Sequence, residues 1–365
     1  MKFLLVAMVL AGCGNAALHH LFVGTTDGSS LYTLELDDQL KQVSLVKNNA
    51  AAGASPSMVV HRSKQYLFGS RPSDGTVSRY GIKDDLSLTL EGTMDIPASC
   101  NTTAFTDIKL SSDVNSFDIY GSASTGNCST LFATSTDGFY TMRSREILGD
   151  IRSLAWSPNG LHLFALDYKT HTVLNFNITD TGSPTLEDVL DNALLSNVTN
   201  PRQMISHPTG HRIYAITQDS NELLDVPLST SDRVAKDVVA ARFNVLPSTL
   251  KASDYTTQSL AISSSNSTLW TLSRSNGQSV ISVFSLDPTT GAVLRAIARA
   301  AWKDVSASKN SLIAPAPFAG DIIAVSNSPL GIVAFIGLNG TTLSSYGRLD
   351  LGSDPGCCGE AVWLS

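Results

Sequence analysis

Residues 151–178 read IRSLAWSPNGLHLFALDYKTHTVLNFNI, which is three short apolar segments separated by two polar turns. The pattern returns in residues 201–228 (PRQMISHPTGHRIYAITQDSNELLDVPL) and in residues 257–286 (TQSLAISSSNSTLWTLSRSNGQSVISVFSL). A repeat of about forty to fifty residues with this internal order is typical of β-propellers, in which each repeat forms one four-stranded blade. The repeat therefore predicts an all-β protein.

Six full copies align on the residue that opens the first turn. They follow one another at spacings of 46 to 56 residues, and the anchors are His61, Ser111, Ser157, His207, Ser263 and Ala316. Residues 18–36 resemble the second and third strands of a copy, and residues 359–365 (GEAVWLS) resemble a first strand. We therefore predict a single domain over residues 18–365, a seven-bladed β-propeller whose closing blade is shared between the N- and C-termini. Six or eight blades are the alternatives if a weak copy is misread.

The first 17 residues, MKFLLVAMVLAGCGNAA, have one lysine, an apolar run and small residues at the end. This pattern predicts a secretory signal peptide that is cleaved near Ala16 or Ala17. The apolar run is too short to serve as a membrane anchor. A bacterial lipoprotein cleavage site at LAGC (10–13) is the alternative. We expect a secreted protein, extracellular or in the cell wall.

Sequons of the form N-x-[ST] support a secretory route, because they are acceptors for N-glycosylation. The chain has six, at Asn101, Asn127, Asn177, Asn197, Asn266 and Asn339. Four cysteines remain after the signal peptide. We predict a local disulfide between Cys100 and Cys128, while Cys357 and Cys358 either form a vicinal disulfide or stay free. Spacing alone allows three pairings.

The charge of the chain excludes one class of partner. A net charge of −7 without a basic cluster argues against nucleic acid. Cysteine and histidine spacings typical of a zinc site are missing from the sequence. We therefore expect no metal and no other cofactor.

Five segments carry a family resemblance. They are LHHLFVGT (18–25), SPNGLHLFALD (157–167), NPRQMISHPTGHRIYAI (200–216), LWTLSRSN (269–276) and EAVW (360–363). Together they resemble the fungal carboxy-cis,cis-muconate cyclases, which belong to the seven-bladed lactonase propellers and are related to bacterial 6-phosphogluconolactonase. The resemblance implies an intramolecular lyase or isomerase reaction. One carboxylate of a carboxylated muconate adds to a carbon–carbon double bond, and a lactone forms.

The resemblance also implies site residues. Arg202 in NPRQM and Arg274 in LSRSN match two arginines that the family uses in catalysis. The family's histidine position falls on Arg152 and its glutamate position on Gln218, and neither side chain titrates near neutral pH. Proton transfer would then depend on Glu360, Asp219 or a nearby histidine.

Alignment of the copies extends this site around the predicted channel. The positions equivalent to Arg202 are Pro56, Thr106, Arg152, Gln258, Ser311 and Glu360. A ring with two arginines and one carboxylate suits a small carboxylated ligand or a lactone. The alternative is a non-catalytic extracellular or cell-wall glycoprotein whose propeller faces contact proteins or glycans. A metal-dependent lactonase is a third option.

Overall fold

The structure is a computed structural model of the chain. It describes residues 17–25, 28–50, 57–71, 75–96, 105–110, 119–135, 141–178, 189–195, 197–209, 211–229, 239–303, 312–318, 320–326, 331–352 and 357–364. Residues 1–16 of the predicted signal peptide lie outside these ranges, as do Asn101 and Cys100. Within the described ranges, no helix is long and apolar enough to cross a membrane.

Seven antiparallel sheets of four strands form the fold. From the innermost strand outwards, three of them are β4 (Met58–Val60), β5 (Tyr66–Arg71), β6 (Thr76–Ile82) and β7 (Leu88–Asp95); β8 (Phe105–Leu110), β9 (Ile119–Ser124), β10 (Cys128–Thr134) and β11 (Thr141–Leu148); and β12 (Ile151–Trp156), β13 (His162–Asp167), β14 (Thr172–Asn177) and β15 (Val189–Leu194).

Three more sheets follow in the same order. They are β16 (Pro201–Ser206), β17 (Arg212–Thr217), β18 (Glu222–Pro227) and β19 (Ala241–Asn244); β20 (Thr256–Ile262), β21 (Thr268–Arg274), β22 (Ser279–Leu286) and β23 (Val293–Trp302); and β24 (Ile313–Pro315), β25 (Ile322–Val325), β26 (Ile332–Asn339) and β27 (Thr342–Asp350).

The seventh sheet joins the two ends of the chain. Its innermost strand is the last one, β28 (Cys357–Leu364), followed outwards by β1 (Leu18–Thr25), β2 (Ser30–Asp37) and β3 (Gln42–Ala50). Each innermost strand neighbours the innermost strand of the next sheet, and β28 neighbours both β24 and β4, so the ring closes. The predicted seven-bladed propeller with a shared closing blade is confirmed.

The sequence repeat is a packing repeat. Seven residues after the anchor of four copies, a large aromatic side chain lies on the second strand with no solvent exposure: Phe68, Phe164, Tyr214 and Trp270. Apolar side chains of adjacent blades then pack into joint clusters, such as Phe164 and Leu166 with Met204 and Ile213. Because each blade buries its face only against its neighbours, the ring must be complete to be stable.

A ring of hydrogen bonds joins the innermost strands at one level of the channel. At six of the seven joints, a backbone N–H of one innermost strand donates to a side chain that lies on the neighbouring innermost strand or, at Ser57, directly before it. The donor and acceptor pairs are Met58 with Glu360, Ile108 with Ser57, Leu154 with Asp107, Met204 with Ser153, Leu260 with Gln203 and Ile313 with Ser259. We call this set the inner ring.

Closure can be tested at Trp363 of β28. Its ring packs edge-on against Phe318 and Phe335, and its Nε1 donates to the carbonyl of Ala314 at 3.1 Å. Trp363→Ala removes these contacts with the preceding blade, and we expect a loss of about 3–5 kcal/mol in the free energy of unfolding. Denaturant unfolding measures this. Leu148→Ala is the control, because Leu148 is 91% exposed and should change stability by less than about 0.5 kcal/mol. Equal effects of the two changes would contradict this closure.

Candidate functional site

Three successive blades carry a β-bulge near the start of the innermost strand. In each, one residue has no partner opposite it on the second strand: Arg152 in β12, Arg202 in β16 and Gln258 in β20. A bulge breaks the regular alternation and re-aims the side chain of the extra residue. The three bulged residues are equivalent positions of the repeat.

A second repeat position lies at the same end of the channel. Tyr168 and Gln218 directly follow the second strands of their blades, and Arg274 ends the second strand of the third blade. The backbone N–H of Tyr168 donates to the carbonyl of Asp150, and that of Gln218 to the carbonyl of Asn200. Asp150 and Asn200 both lie just ahead of the innermost strands, so this second set borders the bulges.

The arginines at these positions form one electrostatic group, which we call the arginine cluster: Arg152, Arg202 and Arg274. Burial, together with the positive charges of Arg152 and Arg274, lowers the pKa of Arg202 to about 10, although Asp150 and Tyr168 oppose the shift. Burial also lowers the pKa of Arg274. Cations are thus held close together in a partly desolvated place, and an anionic ligand would stabilise this arrangement.

Arg152 is fixed from two sides. Its Nε and its terminal nitrogen both donate to Oδ2 of Asp150, at 2.8 and 2.6 Å, and its guanidinium lies 3.5 Å from the ring centre of Tyr168. Asp150 is buried, and its Oδ1 accepts a hydrogen bond from Ser124 at 2.7 Å. Since Asp150 is oriented by partners on both oxygens, Arg152 is presented to the cluster in one geometry.

The structure therefore brings Arg152, Arg202, Arg274 and Gln218 to one end of the channel. The backbone of Gln218 bridges two blades, because its carbonyl also accepts from Thr257 N–H. Gln258 is buried and donates to the Thr256 hydroxyl at 2.8 Å. Of the remaining predicted ring positions, Pro56, Ser311 and the side chain of Thr106 lie outside the described residues.

The predicted equivalence of Glu360 to Arg202 is wrong: Glu360 is an inner-ring residue, at the position of Gln203 and one residue further along its strand. Its Oε2 accepts from the backbone N–H of Met58 at 2.6 Å, and the charges that act on it are those of Lys109 and Asp107. Burial is the main reason that the pKa of Glu360 is raised to about 7. Burial disfavours the charged form of Lys109, but Asp107 and Glu360 outweigh this and raise its pKa. The ion pair between Lys109 Nζ and Asp107 Oδ1 measures 3.0 Å.

Glu360 and Lys109 line a cavity of about 770 Å³. Six of the seven innermost strands contribute to its wall, so it occupies the channel, and we call it the axial cavity. On β16 its lining begins at Gln203, the residue after Arg202, and continues to Pro208 beyond the end of the strand. Neither β12 nor Arg274 takes part. The cavity therefore extends away from the arginine cluster, along the direction of the innermost strands.

Other predicted features take structural roles or stay predictions. His207 is buried in its turn, with Nδ1 2.7 Å from the Thr209 hydroxyl and Nε2 3.1 Å from the Asn266 carbonyl. Cys357 and Cys358 are joined by a disulfide. Cys128 begins β10, and its predicted pairing with Cys100 stays a prediction. Among the described residues, no group of three or more His, Cys, Asp or Glu is arranged to hold a metal ion.

The described sequons are accessible to different degrees. Asn127, Asn197 and Asn339 are exposed, whereas Asn177 and Asn266 are partly buried. Asn127 also accepts a hydrogen bond from Lys169 Nζ at 3.1 Å. Glycosylation at any of these positions stays a prediction.

Sequence reasoning missed Tyr168, Asp150 and Lys109. The repeat alignment could have identified Tyr168, because it lies eleven residues after its anchor, as Gln218 and Arg274 do after theirs. Asp150 had the weaker signal of equivalence to Asn200. Lys109 had none, since its importance comes from the cavity and from Glu360, which is distant in the chain.

The family follows from the sequence. The profile of the family described as a lactonase with a seven-bladed beta-propeller matches residues 20–304, more than half of the chain. The chain belongs to this lactonase family. The match is to the family as a whole and does not select the carboxymuconate cyclases. No curated protein matches the chain.

Solved structures share the lactonase propeller at low sequence identity. The periplasmic gluconolactonase of Pseudomonas aeruginosa is 16% identical, with a TM-score of 0.77 over 96% of this chain and 99% of that one. A candidate 6-phosphogluconolactonase of Bacteroides fragilis is 14% identical, with a TM-score of 0.74 over 92% and 96%. A Lactobacillus plantarum protein is 14% identical, with a TM-score of 0.76 over 96% and 100%. At this identity the likeness shows the fold alone.

The raised pKa of Glu360 predicts a pH dependence of stability. Since that pKa rises from 4.5 in the unfolded chain to about 7 in the fold, the folded lactonase propeller binds more protons between these values. Its free energy of unfolding should therefore fall as the pH rises through this interval, by a few kcal/mol at about 1.4 kcal/mol per pKa unit.

Denaturant unfolding at several pH values measures this, with Glu360→Gln as the matched variant. The glutamine keeps an oxygen for the Met58 N–H but does not titrate, so the variant should lose this part of the slope. If wild type and variant have the same pH dependence, Glu360 titrates normally and its placement is wrong.

Proposed function

We propose that this lactonase-family protein opens the ring of a small anionic lactone, with the substrate's anionic group bound by the arginine cluster. The observation that carries the proposal is the charge of that cluster. Burial and the positive charges of Arg152 and Arg274 lower the pKa of Arg202, and the carboxylate of Asp150 offsets this only in part. An anionic ligand would relieve this repulsion.

The geometry supports a carboxylate or a phosphate as the bound group. Guanidinium groups present planar pairs of donors that match these anions. Arg202 and Arg274 come from adjacent blades and Arg152 from a third. Their guanidinium groups would therefore contact a ligand between them from several directions. Donors fixed in this way also stabilise the negative charge that develops on a lactone carbonyl oxygen during attack.

The reaction adds one water molecule. The water oxygen bonds to the lactone carbonyl carbon, the bond from that carbon to the ring oxygen breaks, and the ring oxygen leaves as a hydroxyl after taking a proton. Tyr168 has a phenolic hydroxyl that can donate and accept a hydrogen bond, it lies within electrostatic range of Arg202, and its ring contacts Arg152. We assign the proton transfer to Tyr168, in place of the histidine and glutamate of the carboxymuconate cyclases.

Cyclisation of a carboxylated muconate is the second candidate reaction. Two arginines of that resemblance, Arg202 and Arg274, are brought together with Arg152, which favours binding of a polycarboxylate. The replacement of a histidine by Arg152 and of a glutamate by Gln218 disfavours the cyclising proton transfer. Secretion, glycosylation and an extracellular or cell-wall location are part of this proposal and rest on the sequence.

The proposal predicts selective loss of activity in Arg202→Ala. Turnover would be measured with 6-phosphogluconolactone, with neutral glucono-1,5-lactone and with 3-carboxy-cis,cis-muconate. We expect kcat/KM for the anionic lactone to fall at least about 30-fold, which corresponds to about 2 kcal/mol, because truncation removes a partly desolvated charge contact. The neutral lactone should be much less affected.

Two further variants sharpen the test. Arg295→Ala removes an exposed arginine of β23 and should leave kcat/KM unchanged. Tyr168→Phe should lower kcat while leaving KM for the anionic lactone nearly constant. Turnover of the muconate alone would favour cyclisation. Failure of every substrate, together with stabilisation by a tricarboxylate in thermal unfolding, would show a binding protein without this activity.

A further inference from the structure

The axial cavity is separate from the arginine cluster and has the size of a ligand site. Its volume of about 770 Å³ lies within the range of roughly 300–1,000 Å³ that small-molecule sites occupy. Its wall is mostly apolar, with Ile205, Leu260, Ile313 and Trp363 among the lining side chains. Such a wall favours the apolar body of an organic molecule over water.

Glu360 and Lys109 are the charged lining residues that lie on innermost strands, β28 and β8. Oε2 of Glu360 is held by the Met58 N–H, and the Ser57 hydroxyl also donates to this carboxyl. These two contacts fix the carboxyl but bring no charge. Its orientation is therefore set by the inner ring before any ligand enters.

The charges at this place do not cancel. Lys109 is ion-paired with Asp107 at 3.0 Å, and the second oxygen of Asp107 accepts from Leu154 N–H at 2.7 Å. Glu360 forms no ion pair within the described part of the chain. Asp107 and Glu360 against Lys109 thus leave one negative charge in excess when all three are ionised.

The other elements around the cavity supply no second buried cation among the lining residues. The lining residues of β16, β20 and β24 carry no charged side chain, and their polar members include Gln203 and Ser206. His61 and Arg62 follow β4 at the outer part of the lining, where Arg62 is exposed and its charge is screened by solvent. A partly buried carboxyl that shares its nearest cation, Lys109, with Asp107 is suited to a ligand that brings a further cation.

We propose that the axial cavity is a second ligand site, which binds a small molecule with an apolar body and one protonated amine, and that Glu360 binds the amine. This site is independent of the lactone reaction. Since the carboxyl of Glu360 has a pKa of about 7, a bound ammonium group would favour its ionised form and release protons near neutral pH. An anionic ligand would have the opposite effect.

Isothermal titration calorimetry with a matched series of probes tests the proposal. Tryptamine, tryptophol and indole-3-propionate share one apolar body and carry a positive, a neutral and a negative group. We expect tryptamine to bind the full-length protein at pH 7 at least ten-fold more tightly than either of the others. Titrations in two buffers of different ionisation enthalpy should show net proton release on tryptamine binding.

Two variants separate this site from the arginine cluster. Glu360→Gln should weaken tryptamine binding at least ten-fold and abolish proton release, while Arg202→Ala should leave both unchanged. The comparison of the three probes uses only the wild-type protein, so it tests the proposal even if a variant fails to fold. Tighter binding of indole-3-propionate, no binding of any probe, or unchanged tryptamine binding in Glu360→Gln would each overturn the proposal. None of these results depends on whether a lactone is turned over.

Discussion

The inner ring of hydrogen bonds is the constraint on which the other features of this propeller depend. A propeller has no single core, and each blade is held only by its two neighbours. Apolar packing between blades is strong but has little directional preference, so it allows sliding. A backbone N–H bound to a side chain of the preceding innermost strand, as Met204 is to Ser153, fixes the register of the two strands.

The ring also determines what the channel can bind. Where its acceptor is a serine, as at Ser153 and Ser259, the joint is neutral, whereas Asp107 and Glu360 bring partly buried acidic groups to the channel. The bulges stand directly before the ring residues Ser153, Gln203 and Ser259. Register at the ring therefore sets where the bulged Arg152 and Arg202 lie. One level of the channel thus separates a cationic end from a mostly apolar cavity that contains Glu360.

Much of the fold could be predicted from the sequence. The separation of the channel into an arginine cluster and an axial cavity could not. The repeat in residues 151–178 has the strand order of a blade, and GEAVWLS at residues 359–365 supplies the missing first strand, so the blade number and the closure followed. The same alignment located Arg152 and Arg202. It also placed Glu360 level with Arg202, whereas in the structure Glu360 takes the inner-ring position of Gln203, one residue further along its strand. The short match at the C-terminus could not fix the register to a single residue.

Amide hydrogen exchange at Met204 tests the role of the inner ring most directly. The measurement compares the exchange rate of this N–H in the wild-type protein and in Ser153→Ala, with an innermost strand on the far side of the ring as reference. An alanine leaves the buried N–H without its acceptor, which costs about 1–3 kcal/mol. The account predicts faster exchange at Met204, together with weaker binding of an anionic ligand at Arg202. Unchanged exchange at Met204 in a folded Ser153→Ala variant would contradict it.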